Sequence, residues 1–186
     1  MAMEGKITKK QQAAAPAENR KKTMADYIKS MSGEIAKALP KSITPERFTR
    51  ITLSALSSNP ELQQCTPSSF LAAMMTAAQL GVEPNTPLGQ AYLIPYFNGR
   101  KQAKECQFQI GYKGLIDLAY RSGEVQSIQA HEVHLNDEFS YSFGLEPELH
   151  HVPAIRDRGE VIAYYAVWKG KDGGYGFEVM SREDVE

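Results

Sequence analysis

Between Asn98 and Arg121 the chain gathers its most concentrated chemistry. Arg100, Lys101, Lys104, Lys113 and Arg121 stand there against two acids, Glu105 and Asp117. That is a local net charge of +3 in a chain of 186 residues whose total is −1 at pH 7. Gln107 and Gln109 add side-chain amides, which donate and accept hydrogen bonds without carrying charge. Cations attract a polyanion at any sequence, and amides add contacts that choose no sequence. The stretch suits a polyanion gripped without covalent chemistry. The competing reading is an ordinary solvated hairpin, and charge alone favours it.

These side chains need a scaffold, and the pattern around them supplies one. Leu93 to Gly123 reads as strand, turn, strand and short helix. Asn98-Gly99 is the signature of a two-residue hairpin turn. Cys106 to Ile110 alternates apolar and amide residues. Cys106, Phe108 and Ile110 are therefore expected on a core, with Gln107 and Gln109 outward beside the lysines. Gly111 breaks the strand, and Tyr112-Lys113-Gly114 opens a helix with Leu115, Ile116, Ala119 and Tyr120 on one side. Gly123 ends it.

Other chemistries lack their residues. His131, His134, His150 and His151 are not spaced as zinc ligands, and no cysteine pair supports them. There is no GxxxxGK[ST] phosphate loop and no G-x-S-x-G elbow. Glu132, Asp137 and Glu138 could hold two metals for a nuclease, but a solvated acidic strand end is the simpler reading. Cys65 and Cys106 read as reduced core residues. No apolar run approaches the roughly 20 residues of a membrane helix, and the N-terminus lacks the apolar region of a secretory signal.

The near-neutral total hides segregation. Residues 1–22 carry six basic residues and two acidic ones, without periodicity, and read as a disordered basic tail. Residues 122–160 carry eight acids against Arg156 and Arg158. From 23 to 186 the pattern predicts one domain. Thr23 caps a helix through Met24, Tyr27, Ile28, Met31, Ile35 and Leu39, which Pro40 stops. Thr44-Pro45 opens a second helix, with Phe48, Ile51, Ala55 and Leu56 buried, and Thr66-Pro67 a third that runs to Gly81. After the central hairpin and helix come strands at 124–135, 139–143, 161–168 and 175–180. Residues 144–153 are expected to be irregular, and Arg156 to Gly159 to form a hairpin turn. Ser181 and Asp184 form a capping pair near the end, which predicts that a further helix belongs there. The order gives an α+β class: an N-terminal helical layer, then an antiparallel hairpin and meander sheet with a helix packed across it.

Three blocks carry a resemblance. They are Gln79-Leu80-Gly81-Val82-Glu83-Pro84-Asn85, then Gly89-Gln90-Ala91-Tyr92-Leu93-Ile94-Pro95-Tyr96, then Gln107 to Gly123. In order and spacing they resemble the RecT family of phage-type single-strand annealing proteins, over about 23–186. The resemblance implies a fold similar to phage lambda Beta and other annealing proteins, with a C-terminal helical part beyond this sequence. It implies ATP-independent binding of single-stranded DNA and annealing of complementary strands to a duplex, with no enzymatic reaction. It also implies a homo-oligomer, as a ring or helical filament, a partner 5′→3′ exonuclease, and the cytoplasm of a bacterium carrying a phage or prophage. No cofactor is expected, and a divalent-cation dependence is left open. On this reading Arg100, Lys101, Lys104, Lys113 and Arg121 grip phosphates, and Lys169 and Lys171 are further candidates. Gln107 and Gln109 bond phosphate or sugar. Tyr112 either stacks on a base or is a core aromatic at a helix start. The alternatives are an oligomer that protects single strands without annealing them, and a metal-dependent nuclease.

Overall fold

The computed structural model describes residues 22–185. All but the last residue of the expected basic tail, 1–22, lies outside them. Four helices come first: α1 (Met24–Ser30), α2 (Ser32–Ala38), α3 (Pro45–Ser58) and α4 (Pro67–Leu80), with a 3-10 turn at Pro60–Gln64 before the last. The Thr23 box forms as expected: Asp26 N–H donates to Thr23 Oγ1 at 3.2 Å and Thr23 N–H to Asp26 Oδ2 at 2.9 Å. The single helix expected from Thr23 to Pro40 is instead two, broken at Met31. Ser30, Ser32 and Gly33 are weak helix formers, and Ser30 Oγ donates to the Tyr27 carbonyl at 2.8 Å.

Helices α3 and α4 begin where the Thr-Pro pairs place them, and α4 ends at Gly81, which takes φ +61°. Thr52 is fully buried between Phe48 and Leu56, whereas Ile51, expected on the buried side, is only half-buried. The Thr52 hydroxyl donates to the Phe48 carbonyl at 3.0 Å, which removes the cost of burying it. Ile28, Ile35, Phe48, Leu62, Phe70 and Met74 fill the core of this layer.

The hairpin β1 (Ala91–Asn98) and β2 (Ala103–Ile110) lies on α4. Ala91, Leu93 and Cys106 are buried against it. Both cysteines are free, and burial pushes the Cys106 thiol up to about 12. The turn differs from expectation. It spans four residues, Gly99 to Gln102, and Gln102 takes the left-handed conformation (φ +50°). Asn98 Oδ1 accepts from the Arg100 and Lys101 amides at 3.1 and 3.3 Å, so the asparagine stabilises a wider loop than Asn-Gly pairs usually make. The outer edges of the hairpin are occupied. Leu93 N–H donates to Asn85 Oδ1 at 2.7 Å, Cys106 N–H to Ser69 Oγ at 2.9 Å, and Thr66 N–H to the Lys104 carbonyl at 2.9 Å.

Helix α5 (Tyr112–Ser122) leads to a second lobe. There β3 (Val125–His134), β6 (Val161–Gly170) and β7 (Tyr175–Ser181) form one antiparallel sheet in the order β3-β6-β7. The expected meander is interrupted. β4 (Glu138–Ser142) and β5 (Glu148–Val152) pair with each other as a separate hairpin inserted between β3 and β6. The stretch expected to be irregular thus contains β5. Its alternation, Leu149 and His151 inward against Glu148 and His150, was masked because one inward residue is a histidine. Arg156 to Gly159 connects two sheets and is not a hairpin turn. Ser181 caps α6 (Arg182–Val185).

One polar network pins the inserted hairpin. Asp137, its side chain fully buried, receives Arg158 Nη2 at 2.6 Å and Nε at 3.1 Å, and the His134 and Ala154 amides at 2.9 and 2.8 Å. The Arg158 guanidinium holds its carboxyl far below the usual carboxylate range. His151 Nε2 lies 3.1 Å from Asp137 Oδ2 and its Nδ1 lies 3.2 Å from the Tyr165 hydroxyl. Of the three carboxylates that the nuclease alternative names, Asp137 is therefore committed to protein donors.

Candidate nucleic-acid interface

Strand parity decides which candidate residues share a face. The register pairs Tyr92 with Gln109, Ile94 with Gln107 and Tyr96 with Glu105. These six residues form the outer face of the hairpin, away from α4. Gln107 and Gln109 are exposed there, as expected. Lys104 has the opposite parity and pairs with Phe97. Its ammonium turns to the helical layer, 2.9 Å from Gln64 Oε1 and 3.6 Å from Glu61. It does not stand beside the glutamines.

The other cations divide into matched and unmatched. Lys101 Nζ lies 2.7 Å from Glu105 Oε1. Glu105 also accepts from Asn98 Nδ2 at 2.7 Å and from the Tyr96 hydroxyl at 3.0 Å. Lys101, then Asn98 and Tyr96, draw the Glu105 carboxyl down to about 2. Arg121 is a strap: Nη2 donates to the Leu80 carbonyl at 2.9 Å and Nε meets Asp117 at 3.0 Å. It ties the last turn of α5 to the end of α4. Arg100, Lys113, Lys169 and Lys171 form no ion pair with a described residue. Lys113 Nζ lies 6.0 Å from the centre of the Tyr112 ring. Tyr112 is 68% exposed, which removes the core reading of its side chain.

Helix α5 is held close to the hairpin by glycines. Gly111 N–H donates to the Gln90 carbonyl at 2.9 Å. Gly114 presses on the same carbonyl, and a methyl group there would land on its oxygen. Gly114 is the buried residue of the helix. Leu115, Ile116 and Tyr120, expected together on one side of the helix, are 55%, 36% and 45% exposed. The spacing does make one apolar stripe, but the described residues leave it largely uncovered.

This face also carries aromatic and apolar side chains that the sequence pattern hides. Tyr92 and Tyr96 are each 41% exposed and Ile94 38%. Ala91 to Tyr96 is apolar at both parities, which imitates a strand buried on both faces. The block Val82-Glu83-Pro84-Asn85 has a different task. Val82, Glu83 and Pro84 are buried, and Arg47 grips Glu83 through Nε at 2.6 Å and Nη2 at 3.1 Å. Asn85, at φ +56°, receives the Leu93 amide. The block is a bracket between α3, α4 and the hairpin.

The sequence model of the RecT family matches residues 46–186. The chain belongs to the RecT family. It is 41% identical to the protein RecT of Escherichia coli (strain K12) over 184 residues, 97% of this chain and 68% of that protein. It is 34% identical over 127 residues to an uncharacterized protein of Bacillus subtilis (strain 168), YqaK, covering 67% of this chain and 42% of the relative. The resemblance carried by the three sequence blocks thus holds over nearly the whole chain. Among the described residues no helix is long and apolar enough to cross a membrane.

Proposed function

We propose that this RecT family member binds single-stranded DNA and anneals complementary strands without ATP and without covalent chemistry, as an oligomer lined up along the DNA. The observation that carries the reading is the match to RecT over 97% of the chain. The geometry supports a division of labour. Arg100 and Lys113, whose charges no described acid matches, attract phosphates; Lys169 and Lys171 extend the track at the far end of α5. Gln107 and Gln109 bond phosphate or sugar. Tyr112 offers an exposed ring for stacking. Lys101, Lys104 and Arg121, engaged by Glu105, Glu61 and Asp117, shape the ledge rather than grip phosphate. Contacts of this kind leave base edges free for a second strand to test.

Few of the candidate cations are unmatched, so affinity on this face must come from protomers acting together on one strand. The partner class is a 5′→3′ exonuclease that exposes single strands, and the setting is the cytoplasm of a bacterium carrying a phage or prophage. The test mixes complementary oligonucleotides, one labelled, with and without protein. Duplex formation well above the spontaneous rate is expected, with no ATP added. Binding without acceleration refutes annealing and leaves a single-strand protector.

A further inference from the structure

The inserted hairpin β4–β5 faces the sheet β3-β6-β7 unevenly. One end is closed by the Asp137, Arg158 and His151 network and by Phe139 stacked on Tyr165 at 5.8 Å. The other end is open, and a cleft of about 700 Å³ lies there between the two sheets. Tyr141, Tyr175 and Phe177 line it together with Glu148 and His150, and Phe143 behind them joins two of the rings. Tyr141 meets Phe143 edge-on at 5.5 Å, and Phe143 stacks on Phe177 at 5.2 Å. Tyr175 spans the gap, its hydroxyl donating to the Pro147 carbonyl at 3.0 Å. Lys169 also lines the cleft, with no acid partner among the described residues.

We propose that this cleft receives one unpaired base of a bound DNA strand, stacked on these aromatic rings, with Lys169 holding the adjoining phosphate. The proposal rests on the DNA-binding reading given above and adds a second place of contact. Ring faces accept any base, and a cation beside them accepts the backbone. The volume falls within the range of small-ligand sites and exceeds what one base needs. The Lys169 end of the cleft lies near the turn that follows α5. Lys169 pairs in register with Ser127, and the Lys171 amide donates to the Glu124 carbonyl at 2.8 Å, two residues past the end of that helix. A strand running along α5 therefore arrives at Lys169. A base held in a duplex cannot enter without being unpaired and unstacked. The cleft thus distinguishes single strands from duplex, and it releases its base when pairing is complete.

Photo-crosslinking with the full chain tests this. The probe is an oligonucleotide carrying 5-iodouracil at one position, irradiated alone and after pairing, with adducts located by mass spectrometry. Adducts on Tyr141, Tyr175 or Phe177 are expected with the single strand and lost with the duplex. Tyr141 is 48% exposed, so Tyr141→Ala keeps the fold. It is expected to lower the ratio of single-strand to duplex affinity about fivefold or more, the stacking contribution of one base. Lys169→Ala is expected to weaken binding to single strands without changing thermal stability. Adducts confined to 100–121, or an unchanged affinity ratio in Tyr141→Ala, overturn the cleft and leave the α5 ledge standing. Adducts at the cleft with none in 100–121 uphold the cleft and sink the ledge.

Discussion

Lys113→Ala and Arg121→Ala look alike in sequence, both removing a cation from α5, yet the structure separates them. Lys113 has no acid partner among the described residues, whereas Arg121 is bound to the Leu80 carbonyl and Asp117. If Arg100, Lys113, Lys169 and Lys171 each neutralise one phosphate, log K falls against log salt with a slope of about −2.8, at about −0.7 per contact for single strands. Losing Lys113 brings the slope to about −2.1. Between about 50 and about 200 mM salt, affinity then drops about 20-fold in the variant against about 50-fold in the parent. Arg121→Ala should instead cost about 1.5–3 kcal/mol of stability, the range for hydrogen bonds to charged groups, and leave the slope near its parent value. Fluorescence anisotropy on a labelled oligonucleotide across the salt series, with denaturant unfolding of each variant, measures both quantities. A Lys113→Ala slope equal to the parent's refutes phosphate gripping by this residue. An Arg121→Ala variant of full stability but reduced slope refutes its assignment as a strap.

Gly114→Ala forces a methyl onto the Gln90 carbonyl, so α5 must back away from the hairpin; about 1–3 kcal/mol of stability should be lost, and weaker DNA binding should follow, read by unfolding and anisotropy together. Tyr112→Ala should leave thermal stability unchanged, because the ring is exposed, and weaken single-strand binding by about 1–3 kcal/mol if it stacks on a base. Phe70→Ala should cost about 3–5 kcal/mol in denaturant titration, since Phe70 is fully buried in the helical layer. Asp137 and Glu105 both have depressed folded-state pKa values, so their contributions are complete above the ordinary carboxylate range of about 4. Stability should fall as pH drops below that range, through about 2 for Glu105, and Asp137→Asn should flatten this acid limb in a pH series of unfolding curves.

Much of the fold is legible in local signals. Thr-Pro before α3 and α4, Gly81 and Gly123 after α4 and α5, and the alternation of Cys106 to Ile110 each act within one turn or one strand. The features that sequence obscured depend on partners far away. His151 points inward because Asp137 and Tyr165 receive it, which concealed β5. Lys104 leaves the glutamine face through strand parity, a rule that the sequence contains but that the cluster of positive charge overshadowed. Tyr92, Ile94 and Tyr96 are exposed because no described element covers the outer face of the hairpin, and an apolar strand does not announce how many of its faces are covered. Pairing of cations could not be read from counts. Glu105, Asp117 and Glu61 neutralise Lys101, Arg121 and Lys104 through geometry.

The hairpin β1–β2 has both of its long flanks already engaged, by Asn85 on one side and by Thr66 and Ser69 on the other. A neighbouring chain cannot zip onto those flanks by extending the sheet without first breaking these bonds. In the oligomer proposed above, contacts between protomers at this hairpin would run through side-chain surfaces, which slide and re-register more readily than a backbone ladder. Contacts of that kind at the hairpin would follow a polymer of any sequence and bend with it.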